Sequence, residues 1–285
     1  KKIAKLSLVA AVAVAGLTTA NAQPLEEAIK NVDVSGSVVY RYNDYNNSLP
    51  SQANPTTPNT NNYKVALNLS SKVNEDVKFN SRFIVGGADS GFATLDSSDT
   101  GDQNVDVTLS HAYFGYTGIA NTTVNVGKQG LTTPWTVAID SDNNEQTGTG
   151  ILALSTLGNV TLAGAYFNQT NLDKSGDVKL TGPLNGVGSN TASGANDVVT
   201  VGSIVAMGPV TADAWFIDSE EYFDSYTIGA KAATTLDAVK LTGDVRYTSL
   251  NLDNSVNEND MIKALVTAKA GIVDAKLGWA RTDKD

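Results

Sequence analysis

Three acids lie close together at Asp140, Asp142 and Glu145, in a stretch (residues 130–147) that also holds one Pro and one Trp. Five bases, Arg41, Lys64, Lys72, Lys78 and Arg82, fall on the polar side of three alternating segments. Carboxylates gathered in a narrow, partly desolvated passage focus their field and enrich cations. A basic wall facing them adds a transverse field that orients polar solutes. The expectation is a charge-lined constriction with a weak cation preference. Asp140, Asp142 and Glu145 supply its loop side, and Arg41, Lys64, Lys72, Lys78 and Arg82 its wall side.

Other chemistries are poorly served. The run of acids and amides at residues 140–145 offers hard oxygen ligands to Ca²⁺. It lacks the spacing of an EF-hand, with no central Gly and no acid at the twelfth position. Calcium at Asp140 is therefore an optional ligand here, and no cofactor is required. The single histidine, His111, rules out a multi-His zinc site. Ser110 precedes it, and in a regular strand neighbours point to opposite faces, so the two are not expected to pair. No nucleophile elbow and no phosphate-binding glycine loop is present. The chain does not read as an enzyme.

The elements that must position these charges are strands. Residues 32–43 place Val32, Val34, Val38, Tyr40 and Tyr42 on one face and Asp33, Ser35, Ser37 and Arg41 on the other. Residues 63–72 and 77–85 alternate in the same way. Such a period of two marks strands with one apolar face. Further segments near residues 104–117, 122–129, 148–157, 160–168, 196–207, 210–219, 222–233, 238–249, 260–270 and 272–281 bring the expected total to thirteen. Their connections alternate. Long ones run over residues 46–62, 87–103, 130–147 and 169–195. Short ones lie at 74–76, 118–121, 158–159, 208–209, 234–237 and near Gly271. Short turns at one end and long loops at the other characterise outer-membrane barrels. All seven prolines avoid the strand interiors, as sheet ladders require. Tyr40, Tyr42, Tyr45, Tyr63, Trp215, Tyr247 and Trp279 stand near strand ends, where a barrel carries its interfacial aromatics.

Composition sets the compartment. Lys1, Lys2 and Lys5, an apolar run over residues 6–17 and the small-x-small site Ala20-Asn21-Ala22 form a secretory signal peptide, residues 1–22. Its removal leaves 17 basic against 30 acidic residues, a net charge of about −13. That balance excludes nucleic acid as a partner. Cysteine is absent, so no disulfide braces the exported chain. No later stretch is apolar enough for a membrane helix, which leaves a closed barrel as the only way to span a bilayer. Both ends read as cut, so residues 23–285 are expected to be the N-terminal part of a barrel of about 16–18 strands.

Two motifs resemble known families. His111-Ala112-Tyr113-Phe114-Gly115-Tyr116, followed by Val124-Asn125-Val126-Gly127-Lys128-Gln129, resembles the R-x-A-Y-V-G-L … G-R-Q pattern of general trimeric porins, with His111 in place of their Arg. Pro24-Leu25-Glu26-Glu27-Ala28-Ile29-Lys30, Val32-Asp33-Val34-Ser35-Gly36, Trp135-Thr136, Ala138-Ile139-Asp140 and Gly148-Thr149-Gly150 resemble the Campylobacter-type major outer membrane porins. The resemblance implies an eighteen-stranded transmembrane antiparallel β-barrel in the outer membrane, in contact with lipid and lipopolysaccharide. It implies a homotrimer and passive diffusion of ions and small hydrophilic solutes. It also places Asp140 at an aspartate that some members use near calcium. The competing expectation is a barrel acting mainly as an adhesin or structural surface protein.

Overall fold

A computed structural model describes residues 31–44, 60–97, 101–102, 105–177, 194–253 and 258–283. The signal segment, the motif at residues 24–30 and parts of the long loops (residues 45–59 and 178–193) lie outside the described residues. What is described is almost entirely strand: β1 (Val32–Asn43), β2 (Thr60–Lys72), β3 (Val77–Gly86), β4 (Ala93–Ser97), β5 (Gly101–Asp102), β6 (Asp106–Ile119), β7 (Thr122–Gly130) and β8 (Thr147–Leu157). There follow β9 (Val160–Thr170), β10 (Val198–Met207), β11 (Val210–Ser219), β12 (Phe223–Leu236), β13 (Val239–Leu252), β14 (Glu258–Ala270) and β15 (Val273–Thr282). The fold is all-β and antiparallel. Its strands of 9–14 residues, β4 and β5 aside, suit a tilted membrane crossing.

Two short strands were not expected. β4 and β5 fall inside residues 87–103, which read as loop. Five residues and two are too few to show a period, and β4 forms only because it finds an edge. It pairs Ala93 with Tyr63 and Thr94 with Asn62, above the point where β3 leaves β2.

The chain divides into two compact units. The first comprises Lys1–Gly118, Asn125–Gln129 and Asn143–Glu145. The second comprises Ile119–Val124, Gly130–Asp142 and Gln146–Asp285.

In the first unit β2 is flanked by β1 on one edge and by β3, then β4, on the other. β3 pairs with β6. The registers sort side chains into rows across four strands. Gly36–Leu67–Phe83–Leu109 and Val38–Val65–Val85–Val107 form an apolar face, with Val38 78% exposed. Asp33–Ser70–Asn80–Tyr113 and Ser35–Asn68–Arg82–His111 lie on the opposite, polar face. A soluble sheet buries its apolar face; this one presents it outward, as a lipid-facing wall does. By the same registers Arg41, Lys64, Lys72, Lys78 and Arg82 all belong to the polar face.

In the second unit β8 to β15 run as an unbroken antiparallel meander in chain order. The short turns fall where the sequence places them. Gly158, Gly208 and Gly271 open three of them at φ of +59° to +62°, a region glycine enters without penalty, and Asp237 opens a fourth at +51°, where Asp is among the few other residues tolerated. Exposed Val199, Val201, Phe216, Tyr226 and Ile228 make one face apolar. Thr200, Ser219, Ser225 and Thr227 are buried on the other. Trp215 departs from the expected interfacial position. Its register partner is Gly202, on the polar side, and its ring lies so close that a Cβ at Gly202 would sit 2.2 Å from it. Alternation explains this: Phe216, the next residue, takes the outward place.

The outward face predicts its own test. Ile228 is 57% exposed and lies near the middle of β12. Ile228→Arg should destabilise the bilayer-folded protein by about 2–4 kcal/mol, the cost of a cation at the midplane. Urea titration in lipid vesicles measures it, and an unchanged midpoint would mean the face meets water.

Candidate functional site

The site grows from one irregularity in β6. Its apolar phase is odd at Val105, Val107 and Leu109 and even at Ala112, Phe114 and Tyr116. The phase changes across Ser110-His111. There Arg82 pairs with His111 but Phe83 pairs with Leu109, so Ser110 is an extra residue, a β-bulge. The bulge turns neighbours that a regular strand would separate toward the same side. Ser110 Oγ lies 3.1 Å from His111 Nδ1, so the expectation that the two cannot pair is corrected.

Glu145 fills the space the bulge opens. It is 3% exposed. Arg82 Nε donates to its two carboxylate oxygens at 2.8 and 3.0 Å, and Arg82 Nη2 donates to Oε1 at 2.7 Å. Ser110 Oγ donates to Oε2. The Glu145 main-chain N–H donates to Ser90 Oγ at 2.8 Å. Asn68 Oδ1 accepts from Arg82 Nη1 at 2.6 Å and so fixes the guanidinium from its other side. Lys64 Nζ donates to the Asn143 carbonyl at 2.9 Å. A buried ion pair repays its desolvation only when geometry is good and the remaining lone pairs are bonded, and here both hold.

This arrangement is not nucleophilic. A carboxylate only accepts, so the Ser110 proton points to Glu145. His111 Nδ1 then reaches Ser110 Oγ as a donor, the reverse of a base taking the serine proton. Ser110 is itself buried. Burial pushes the Glu145 carboxyl up. The hydrogen bonds from Arg82 and Ser110, with the charges of Arg82 and His111, pull it further the other way, leaving it below the usual carboxylate range.

The same loop has an apolar foot in the second unit. Leu131 is 2% exposed and clusters with Ala165, Phe167, Leu172, Val198 and Ile217, with Trp135 packed beside them. Trp135 Nε1 donates to Ser225 Oγ at 2.9 Å, and Ser225 Oγ passes its own proton to the Ser249 carbonyl at 2.6 Å. Ser225 and Ile217 lie opposite the exposed apolar side chains of β11 and β12. Leu131 and Trp135 therefore pack on the polar face of this wall. Leu131 N–H donates to the Gln146 carbonyl at 2.9 Å and closes the neck of the loop. The Gln146 side chain accepts from Val137 N–H at 2.7 Å and donates to Ser175 Oγ at 2.6 Å.

The sequence-derived residues thus separate. Arg82, Glu145 and Lys64 come together. Asp140 is buried, and its carboxylate accepts from the N–H groups of Asp142 at 2.9 Å and Gly176 at 2.9 Å, a turn-forming role. Among the described residues no three His, Asp or Glu side chains converge on a point that could hold a metal. Asp142 is exposed. Lys72 and Lys78 are exposed and directly opposite each other in register. The Arg41 guanidinium lies 4.3 Å over the Phe92 ring, a cation–π contact. Ser110, Asn68 and Ser90 were missed. Ser110 could have been found from the phase change in β6. Asn68 and Ser90 carry no comparable signal.

Comparison with known proteins agrees with this architecture. The family model described as Campylobacter major outer membrane protein matches residues 1–279. No curated protein matches the chain. Solved structures from Pseudomonas aeruginosa share the fold. OccK1 (OpdK) does so at 13% identity and a TM-score of 0.67, over 89% of this chain and 67% of that one. OccK9 (OpdG) matches at 13% and 0.65, over 90% and 68%. OprD matches at 14% and 0.63, over 88% and 58%. The chain spans 50% of the length of OccD3 (OpdP) and 62% of OpdK in its complex with vanillate.

The ion pair predicts a measurable asymmetry. Arg82→Ala strands a buried carboxylate and should cost about 3–5 kcal/mol in urea unfolding. Replacing both Arg82 and Glu145 by Met should cost less than either single change; additive losses would refute a coupled pair. The pH dependence has a definite sign. A depressed folded pKa stabilises above the ordinary carboxylate value, about 4.3, and that contribution fades as pH falls through the lower folded value. Wild type should exceed Glu145→Gln in stability at pH 6, with the difference closing in strong acid.

Proposed function

The chain belongs to the Campylobacter major outer membrane protein family, and from that premise we propose that it contributes the wall and constriction of a porin. Small hydrophilic solutes and ions would cross it by diffusion, and residues 130–147 would narrow the passage. The observation that carries the reading is the loop's footing. Leu131 and Trp135 pack on the polar side of the second unit's wall. Glu145 is clamped on the polar side of the first. Each is the face opposite that unit's own exposed apolar residues, the face that a porin turns to its lumen. The protein resides in the outer membrane, and in this reading it assembles as a homotrimer among lipid and lipopolysaccharide.

Selectivity in the proposal rests on charges left outside the clamp. Arg82 and Glu145 neutralise each other at 2.7 Å. Asp142 remains exposed on the loop, with Lys72 and Lys78 on the wall. The acidic balance of the chain tips the passage weakly toward cations.

Full-length protein in a planar bilayer should form stable, ohmic channels whose reversal potential in a KCl gradient shows weak cation preference. Asp142→Asn should move that potential toward zero, and Lys72→Gln with Lys78→Gln should move it away. Absence of conductance from folded protein would refute the porin; anion preference would refute the charge argument.

A further inference from the structure

The two polar rows of the first unit enclose a recess of about 320 Å³ on the inner face of β1, β2, β3 and β6. We propose that it is a subsite for a neutral, hydroxyl-rich solute the size of one sugar ring. The proposal rests on the porin reading, which makes this face a lumen wall.

The chemistry of the lining carries the argument. The rows Asp33–Ser70–Asn80–Tyr113 and Ser35–Asn68–Arg82–His111 lie side by side, so carboxylate, hydroxyl, amide, imidazole and phenol groups face one small volume. The volume falls at the low end of ligand pockets, about 300–1,000 Å³, which suits a single ring.

The floor is held before any solute arrives. Asn68 Nδ2 donates to Ser35 Oγ at 3.3 Å while its oxygen accepts from Arg82. Ser70 Oγ donates to Asn80 Oδ1 at 3.0 Å. These bonds fix the amides without using the Asn80 amide hydrogens. His111, its Nδ1 turned toward Ser110, adds an imidazole edge to the lining. Donors and acceptors are thus mixed, as alternating sugar hydroxyls require.

Charge excludes the obvious alternative. An exposed arginine in a pore recess would suggest an anion site. Here the guanidinium is already matched by Glu145 at 2.7 Å, and Asp33 adds a second carboxylate to the rim. An anion would meet a neutralised arginine and an acid. A neutral polyol meets only hydrogen-bonding groups. Binding should be weak, since a solute that enters a diffusion channel must also leave.

Saturation-transfer NMR on full-length, detergent-folded protein tests this with D-glucose and D-glucuronate as probes. Glucose should saturate with a dissociation constant of about 1–10 mM, the range of a few weak hydrogen bonds. Asn80→Leu and, separately, Tyr113→Ala should each weaken it at least tenfold, with folding of both checked by heat-modifiable gel mobility. Glucuronate should bind more weakly than glucose. Non-saturating glucose signals, equal binding in both variants, or preference for glucuronate would each overturn the proposal. Conductance without sugar separates the two readings. A conducting protein that fails to bind glucose refutes the recess alone, and a non-conducting one that binds it supports the recess and refutes the channel.

Discussion

The pair formed by Arg82 and Glu145 is the constraint on which the polar face of the first unit depends. Two charges removed from water cost several kcal/mol each unless every lone pair and proton finds a partner. That demand explains features that otherwise look unrelated. The bulge in β6 exists where the carboxylate needs a hydroxyl, and Ser110 supplies it. Asn68 holds the far edge of the guanidinium. Ser90, in a short 3-10 turn after β3, receives the main-chain N–H of Glu145. Remove any one and a buried polar group is orphaned, so the residues hold as a set.

A second anchoring of the loop uses the opposite physics. Around Leu131 and Trp135 the second unit sets aliphatic and aromatic surface into a wall face otherwise lined with threonine and serine. The buried hydroxyls tolerate this because each is spent on a local acceptor: Thr200 on the Phe216 carbonyl, Thr227 on Tyr247, Ser225 on Ser249. With their protons turned into the sheet, these hydroxyls need no further acceptor, and Ser225 Oγ is left to accept from Trp135 Nε1 at 2.9 Å. An ion pair gives direction and register; an apolar foot gives area. A loop needing a fixed position in water benefits from both.

How far the sequence discloses this follows from the range of each interaction. Strand alternation and two-residue turns are local, so thirteen of the fifteen strands among the described residues and the alternation of short and long connections could be read directly. β4 and β5 could not, since their pairing depends on where β3 happens to stop. The five basic residues share a face by parity alone, and the registers place them there. Their partners are another matter. Arg82 and Glu145 stand 63 residues apart, and nothing local marks which acid of the loop would take the arginine. Asp140, Asp142 and Glu145 look equivalent in the sequence. In the fold one shapes a turn, one faces water and one is buried. The phase change at Ser110 was legible, and strict alternation applied across it led to the wrong geometry for His111.

The separation of those three acids changes the field they produce. Eight charges counted from the sequence suggest a strong transverse potential. Opposite charges 2.7 Å apart act at a distance as a dipole, whose field falls off faster than that of either member. The clamp therefore contributes position and little potential. Lys64 is turned to the Asn143 carbonyl, and Arg41 is drawn over an aromatic ring. In the proposed channel, what would act over the scale of a hydrated ion is the smaller set left exposed, Asp142, Lys72 and Lys78, within a chain whose overall balance is acidic. In the proposed channel, a passage built this way would discriminate weakly by sign and present hydrogen-bonding groups at its wall. Those two properties are compatible because the strongest charges are spent on holding the loop.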